Sequence, residues 1–146
     1  MLGLIQRVSS ACVSIDDKVH GHINGGILLL LGVEKNDTKE QADQLLKKLL
    51  NYRIFTDSSG KMNRSLTDIN GDLLIVSQFT LAADTKKGLR PSFSSAAPPK
   101  EAEMLYNYFL NQARKTHQGE VAQGKFGADM QVSLCNDGPV TFLLHS

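Results

Sequence analysis

The run Ile27-Leu28-Leu29-Leu30-Leu31-Gly32-Val33 is the longest strongly apolar stretch of the chain. Side chains along a strand point alternately to the two faces of a sheet. A run with no polar residue at either parity therefore reads as a strand buried on both faces. It falls far short of the ~20 apolar residues a membrane-spanning helix needs. A second buried strand, Leu73-Leu74-Ile75-Val76, ends in the polar pair Ser77-Gln78. Such strands need cover on both faces.

Two amphipathic helices can supply it. Asn36-Asp37-Thr38 opens the first, and Thr38 with Gln41 fits a capping box that satisfies free N–H groups of the first turn. Ala42, Leu45, Leu46 and Leu49 then form one apolar stripe. Pro98-Pro99 starts the second helix, with Ala102, Leu105, Tyr106, Phe109 and Ala113 on one face and an end near Lys115-Thr116-His117. Ala11, Val13 and Ile15 alternate with polar residues, as a half-buried strand does. Asp16-Asp17-Lys18 reads as a turn into Val19–Ile23, giving a hairpin. Thr56–Gly60 is a turn cluster, and Asn70-Gly71 is a hairpin-type dipeptide. From about Ala83 to Pro99 runs a loop longer than the usual ~4–6 residues, which favours a functional role. Met130–Leu134 and Val140–Leu144 are two closing strands, with Asn136-Asp137-Gly138-Pro139 as a turn between them. The order predicts a mixed α/β chain, one domain over 1–146, with both helices packed on the sheet.

Net charge is +1, from 16 basic and 15 acidic residues. A chain so balanced is no basic nucleic-acid coat, so RNA binding would need a local patch. Cys12 and Cys135 lie in apolar runs and read as buried small hydrophobes; two thiols make neither a disulfide framework nor a zinc site. No signal peptide is evident, because Met1–Ile5 runs directly into Gln6-Arg7. The expected location is the cytosol, with no membrane association.

Conventional catalytic groups are scarce. His20 and His22 share a strand face but have no third ligand at a convincing spacing, so no metal is expected. They read as solvent-facing, as does His145, and His117 falls at the predicted end of the second helix. There is no Gly-x-Ser-x-Gly elbow, and the glycines at Gly21–Gly26 and Gly124–Gly127 match no phosphate or dinucleotide loop. Ser77-Gln78-Phe79-Thr80-Leu81 stands apart, because hydroxyls and an amide occur where an apolar strand ends. Polar groups there need partners, so the segment is either a site or a locally satisfied strand terminus. Ser77 or Thr80 as a nucleophile would need a nearby base; Asp84 is the nearest acid in sequence.

The two segments Ser77-Gln78-Phe79-Thr80-Leu81 and Asn136-Asp137-Gly138-Pro139-Val140-Thr141 resemble the signature motifs of the D-aminoacyl-tRNA deacylase family of bacteria and eukaryotes. The likeness extends along the whole chain. It includes Gln6-Arg7-Val8 with Ala11 and Val13, Arg53-Ile54-Phe55, Gly60-Lys61-Met62-Asn63, Arg90-Pro91-Ser92-Phe93, and Phe126-Gly127-Ala128 with Met130. Gln123, where threonine is expected, and His145, where an acid is common, depart from it without touching either motif.

The resemblance implies a barrel-like layered sheet and a homodimer with active sites at the subunit interface. It implies hydrolysis of D-aminoacyl-tRNA and glycyl-tRNA without a cofactor. Ser77, Gln78, Phe79 and Thr80 would be the catalytic segment, orienting the ester and polarising its carbonyl. Gly138 and Pro139 would be joined by a cis bond, reach into the partner's pocket and exclude L side chains. Phe126 and Met130 would line the adenosine pocket. The terminal ribose 2′-hydroxyl would help activate water. On the long loop, Lys86, Lys87 and Arg90 are either phosphate contacts or solvated surface charges.

Overall fold

The computed structural model describes residues 1–146. Strand β1 (Leu2–Ile15) turns into β2 (Lys18–Ile23). Asp16 and Asp17 both have positive φ, 49° and 59°. That pair makes the primed turn whose twist matches a hairpin. Strand β3 (Gly26–Gly32) follows, then helix α1 (Lys39–Asn51), the short strands β4 (Phe55–Thr56) and β5 (Met62–Arg64), and the single-turn helix α2 (Leu66–Ile69). Strand β6 (Asp72–Ser77) ends in a 3-10 turn, Phe79–Ala82. Helix α3 (Pro99–Thr116), strand β7 (Val121–Gln123) and strand β8 (Gln131–His145) complete the chain.

The main sheet runs β2-β1-β3-β6-β7, and β8 lies along the other edge of β1. The β3–β6 and β6–β7 pairs are parallel. Parallel neighbours need crossover connections, and α1 and α3 lie in those two crossovers. Alternation in β3 and β6 then divides the core. Ile27, Leu29, Leu31, Leu73 and Ile75 pack with Leu45, Leu46 and Leu49 of α1 and with Leu105, Tyr106 and Phe109 of α3. Leu28, Leu74 and Val76 face the opposite way, onto Val8, Ala11, Val13 and Ile23. One face is covered by helices, and the other by the sheet curling on itself. Curling brings β2 against β7 so closely that a Cβ on Gly21 would lie 2.6 Å from the Gln123 carbonyl oxygen. The result is the expected mixed α/β fold with a nearly closed, barrel-like sheet.

In β1, Val8 and the odd-numbered pair Ala11 and Val13 face the same interior. Strict alternation forbids that; a register irregularity between Val8 and Ser10 restores it.

Three local expectations are corrected. Asn136–Pro139 is not a turn between two strands. Strand β8 is continuous and antiparallel to β1 from Leu2↔His145 to Ser14↔Gln131. The pairs Gln6↔Thr141 and Val8↔Asn136 flank Arg7, so Asp137, Gly138, Pro139 and Val140 bulge out opposite Arg7 alone. The long strand β1 offers one neighbour throughout, so the Gly-Pro unit is accommodated as a bulge in the ladder. Asn70-Gly71 makes no hairpin either. Asn70 (φ 49°) is the left-handed C-cap of α2, a turn closed at its start by a capping box between Ser65 and Asp68. The cysteines are also less buried than expected, Cys12 half-buried and Cys135 exposed, because both lie on strand positions facing away from the interior.

The α1 capping box forms as expected. Glu40 N donates to Thr38 Oγ1 at 3.2 Å, and Thr38 N donates to Gln41 Oε1 at 2.8 Å. Thr38→Ala is expected to cost about 1 kcal/mol in a denaturant melt. In the β4–β5 turn, Asp57 accepts from the Ser59 hydroxyl and from backbone N–H groups, which holds its carboxyl down at about 2. A depressed carboxylate contributes stability above its unfolded value of ~3.9, and the contribution is lost as pH falls through the folded value. A titration of the Asp57 carboxyl by NMR should give a midpoint near 2, and Asp57→Asn should remove the acid sensitivity of that turn.

Candidate active site

A cleft of about 470 Å³ opens beyond the carboxyl end of β6. Parallel strands joined by crossover helices place ligands at this end, and β3, β6 and β7 are such a set. Val76, Ser77 and Gln78 form its floor, with Phe79 exposed at its edge, Ala96, Ala97, Pro99 and Ala102 one wall, and Phe126–Met130 with Val132 the other. Ser77, Gln78, Phe79, Phe126 and Met130, all expected at the site, are thus brought together. Thr80 sits one residue beyond, in the 3-10 turn, and does not line the cleft.

The chain leaves β6 at Gln78, whose N–H donates to the Leu31 carbonyl at 2.8 Å. Gln78 has φ −142° and ψ 82°, which redirects the backbone into the turn. The Gln78 side-chain amide donates to Thr80 Oγ1 at 2.6 Å. No carboxylate or imidazole bonds the Thr80 hydroxyl, so nothing stands ready to take its proton. The first N–H groups of a helical turn have no partner within it. In this turn they belong to Phe79, which lines the cleft, and to Thr80 beside it.

The far wall is held from below. Tyr106, buried on α3, donates its hydroxyl to the carbonyls of Ile75 (2.9 Å) and Gly124 (3.3 Å), joining β6 to the end of β7. Burial pushes its pKa up to about 12. The Phe126 ring packs on Tyr106 with centroids 5.8 Å apart. A Cβ on Gly124 would lie 2.8 Å from Met130 Sδ, so glycine there lets Met130 reach the cleft.

Gly138 and Pro139 are not at the cleft of their own chain. Their peptide bond is cis, and both residues are exposed on the β8 bulge. Arg7 grips the bulge from β1: its Nε donates to the Asp137 carbonyl at 2.9 Å and lies 3.3 Å from the Asp137 carboxylate. Its Nη1 donates to the Ile54 carbonyl at 2.8 Å. The Asn136 amide closes the other side, accepting from Val140 N at 3.0 Å and donating to Thr141 Oγ1 at 2.8 Å. Gly138 has φ +133°, and a Cβ there would meet Val140 Cγ2 at 2.7 Å and Arg7 Nη2 at 3.0 Å.

The D-Tyr-tRNA(Tyr) deacylase family model matches residues 4–145. This chain belongs to that family. It is 62% identical over 144 residues to a D-aminoacyl-tRNA deacylase of Cellvibrio japonicus, covering 99% of this chain and 98% of that one. Identity is 64% over 146 residues to the enzyme of that name from Stutzerimonas stutzeri, with both chains fully covered. Among solved structures, a c-Myc DNA unwinding element binding protein superposes with a TM-score of 0.96 at 43% identity, covering 100% of this chain and 99% of that one. A probable eukaryotic D-amino acid tRNA deacylase shares the fold, with a TM-score of 0.80 at 20% identity over 98% of this chain and 97% of its own.

Against the deacylase family pattern, Gln123 accepts from Arg114 Nη2 at 2.7 Å and so ties β7 to α3. His145 is exposed, as are His20 and His22. His117 is buried as the α3 C-cap, and its Nε2 lies 2.7 Å from the Gly71 carbonyl, to which it donates. Lys86, Lys87 and Arg90 are exposed on the loop and line no part of the cleft.

Sequence reasoning missed the structural parts of Arg7 and Asn136. A cationic side chain in a strand paired on both edges was the available signal for Arg7, since such a charge requires acceptors. Gly138→Ala is expected to disorder the bulge while the rest of the fold persists. NMR should show shifts at Arg7, Asp137 and Val140 with the β6 amides unmoved.

Proposed function

We propose that this chain hydrolyses the ester linking a D-amino acid to the terminal ribose of tRNA, and likewise cuts glycine from tRNA(Ala). Such a reaction removes D-residues before they enter translation. The observation that carries the mechanism is the unassisted Thr80 hydroxyl beside the cleft, bonded only to the Gln78 amide. A covalent hydroxyl route needs a base. The reading that fits is one in which the protein positions the ester and stabilises charge. Gln78 and the N–H groups of Phe79 and Thr80 polarise the ester carbonyl. The substrate's own 2′-hydroxyl helps activate water. Phe126 and Met130 hold the adenosine. No metal or cofactor takes part.

Chirality is read across two copies. The unpaired edge of β8 and its exposed Leu134, Phe142 and Leu143 are suited to burial against a second chain. In that dimer the partner subunit's Gly138 and Pro139 present carbonyl oxygens to the substrate α-amino group and leave no room for an L side chain. Discrimination by clash needs no contact with the D side chain, and glycine has nothing to reject. Residues 1–146 act as one unit, in the cytosol; no helix is long and apolar enough to cross a membrane.

Release from matched D-tyrosyl-tRNA and L-tyrosyl-tRNA, with chelator present, tests the reading. Rapid loss of the D ester alone is expected, and equal loss of both would remove the backbone filter. Thr80→Ala should keep substantial turnover, whereas a 2′-deoxy terminal ribose should lose most of it; the reverse pattern would restore the hydroxyl nucleophile. If Lys86, Lys87 and Arg90 meet phosphates, each neutral variant should lower the salt slope of tRNA binding by about 0.7–0.9. The name of the DNA-element relative raises a duplex-binding reading. A net charge of +1 disfavours it, and tight salt-sensitive binding to duplex DNA would revive it.

A further inference from the structure

Phe79 and Phe93 make an aromatic pair in the open. Their ring centroids are 4.9 Å apart with planes tilted by 50°. Phe79 is 58% exposed and Phe93 41%, although aromatic side chains of this size are ordinarily buried. Phe79 lines the cleft; Phe93 stands at the base of the long loop. That loop is a closed finger: Asp84 N donates to the Ser92 carbonyl at 2.7 Å, and Ser92 N returns to the Asp84 carbonyl at 3.0 Å. Beyond Ser92 it is pinned to the chain following β3, where Lys35 N donates to the Ser95 carbonyl at 2.9 Å. Its tip presents Lys86, Lys87 and Arg90 beside a fully exposed Leu89. An aromatic platform at a cleft mouth, with cations on the same element, is the combination that binds single-stranded nucleic acid. Bases stack on the rings and phosphates meet the charges.

We propose that Phe79 and Phe93 form a stacking platform for the base next to the terminal adenosine of the substrate's unpaired 3′ end, with the finger's cations on the following phosphates. This rests on the deacylase reading above and assigns Phe93 a binding role outside the cleft. The cleft takes the aminoacyl-adenosine. The strand must leave it over the mouth, where the ring pair stands. The finger then makes the enzyme prefer an ester carried on a polynucleotide to the same ester on a lone nucleoside.

The probe is the trinucleotide cytidine–2-aminopurine–adenosine, carrying D-tyrosine through a 3′-amide that cannot be hydrolysed. Wild-type protein should quench the 2-aminopurine fluorescence on binding. Phe93→Ala should abolish the quench and weaken binding about tenfold, the scale of one stacked base; Phe93→Tyr should restore both. In turnover, the ratio of kcat/KM for D-tyrosyl-trinucleotide over D-tyrosyl-adenosine should fall by a similar factor in Phe93→Ala. Binding without quench, equal loss on both esters, or a change of oligomeric state that accounts for the defect would each overturn the platform. The last would give the ring pair to a second copy of the chain. Quench without turnover of any D ester would leave the platform standing and sink the deacylase reading; turnover without quench would do the opposite.

Discussion

Burial of β3 and β6 on both faces is the constraint on which the architecture depends. Neither strand has a polar parity, so water must be excluded from both sides of the sheet at once. Helices α1 and α3 cover one side. The chain has no further helix long enough for the other, so the sheet covers itself by curling until β2 meets β7. Parallel pairing of β3, β6 and β7 follows from the crossovers that carry those helices. It sends the carboxyl ends of the parallel strands to one rim. There β6 can end in Ser77-Gln78 without a desolvation cost, because the rim is open. The cleft is thus a consequence of how the core is hidden.

The second half of the candidate site arises from a different device. A Gly-Pro unit inside a ladder must leave it, and β8 leaves it opposite Arg7. The Arg7 side chain is 12% exposed, and its guanidinium is matched to carbonyl acceptors on two segments and to the Asp137 carboxylate. A planar, always-charged group with several donors suits such multiple acceptance better than a lysine would. The bulge is therefore a held shape, yet it lies away from the cleft of its own chain. Its Gly138–Pro139 face is exposed on its own chain, and in the proposed dimer a second copy covers it.

Much of this was legible in the sequence, and for physical reasons. The helices announced themselves through the Thr38–Gln41 box and the Leu45–Leu49 stripe, which are local signals. So did the first hairpin, because Asp16-Asp17 encodes its own turn. The Asn136–Pro139 segment misled for the same reason: local chemistry reads Gly-Pro as a reversal, and only the length of β1, far away in sequence, makes it a bulge. Asn70-Gly71 was misread likewise, since a left-handed Asn serves a helix cap as readily as a hairpin. In the candidate site, the Ser77–Thr80 segment was visible as polarity at an apolar strand's end. Arg7 and Tyr106 act through backbone carbonyls, and Asn136 through a backbone N–H and the Thr141 hydroxyl, partners that no spacing reveals.

On the proposed reading, a working site needs the cleft of one chain and the Gly138–Pro139 bulge of another. Subunit complementation tests it most directly. Gln78→Ala damages the cleft and Gly138→Ala the bulge, so each variant alone should release D-tyrosine from tRNA poorly. After the two are unfolded, mixed and refolded together, mixed dimers should contain one intact site each, and turnover should reappear. Refolded mixtures no more active than the separate variants, with mixed dimers present, would contradict a site shared between two chains.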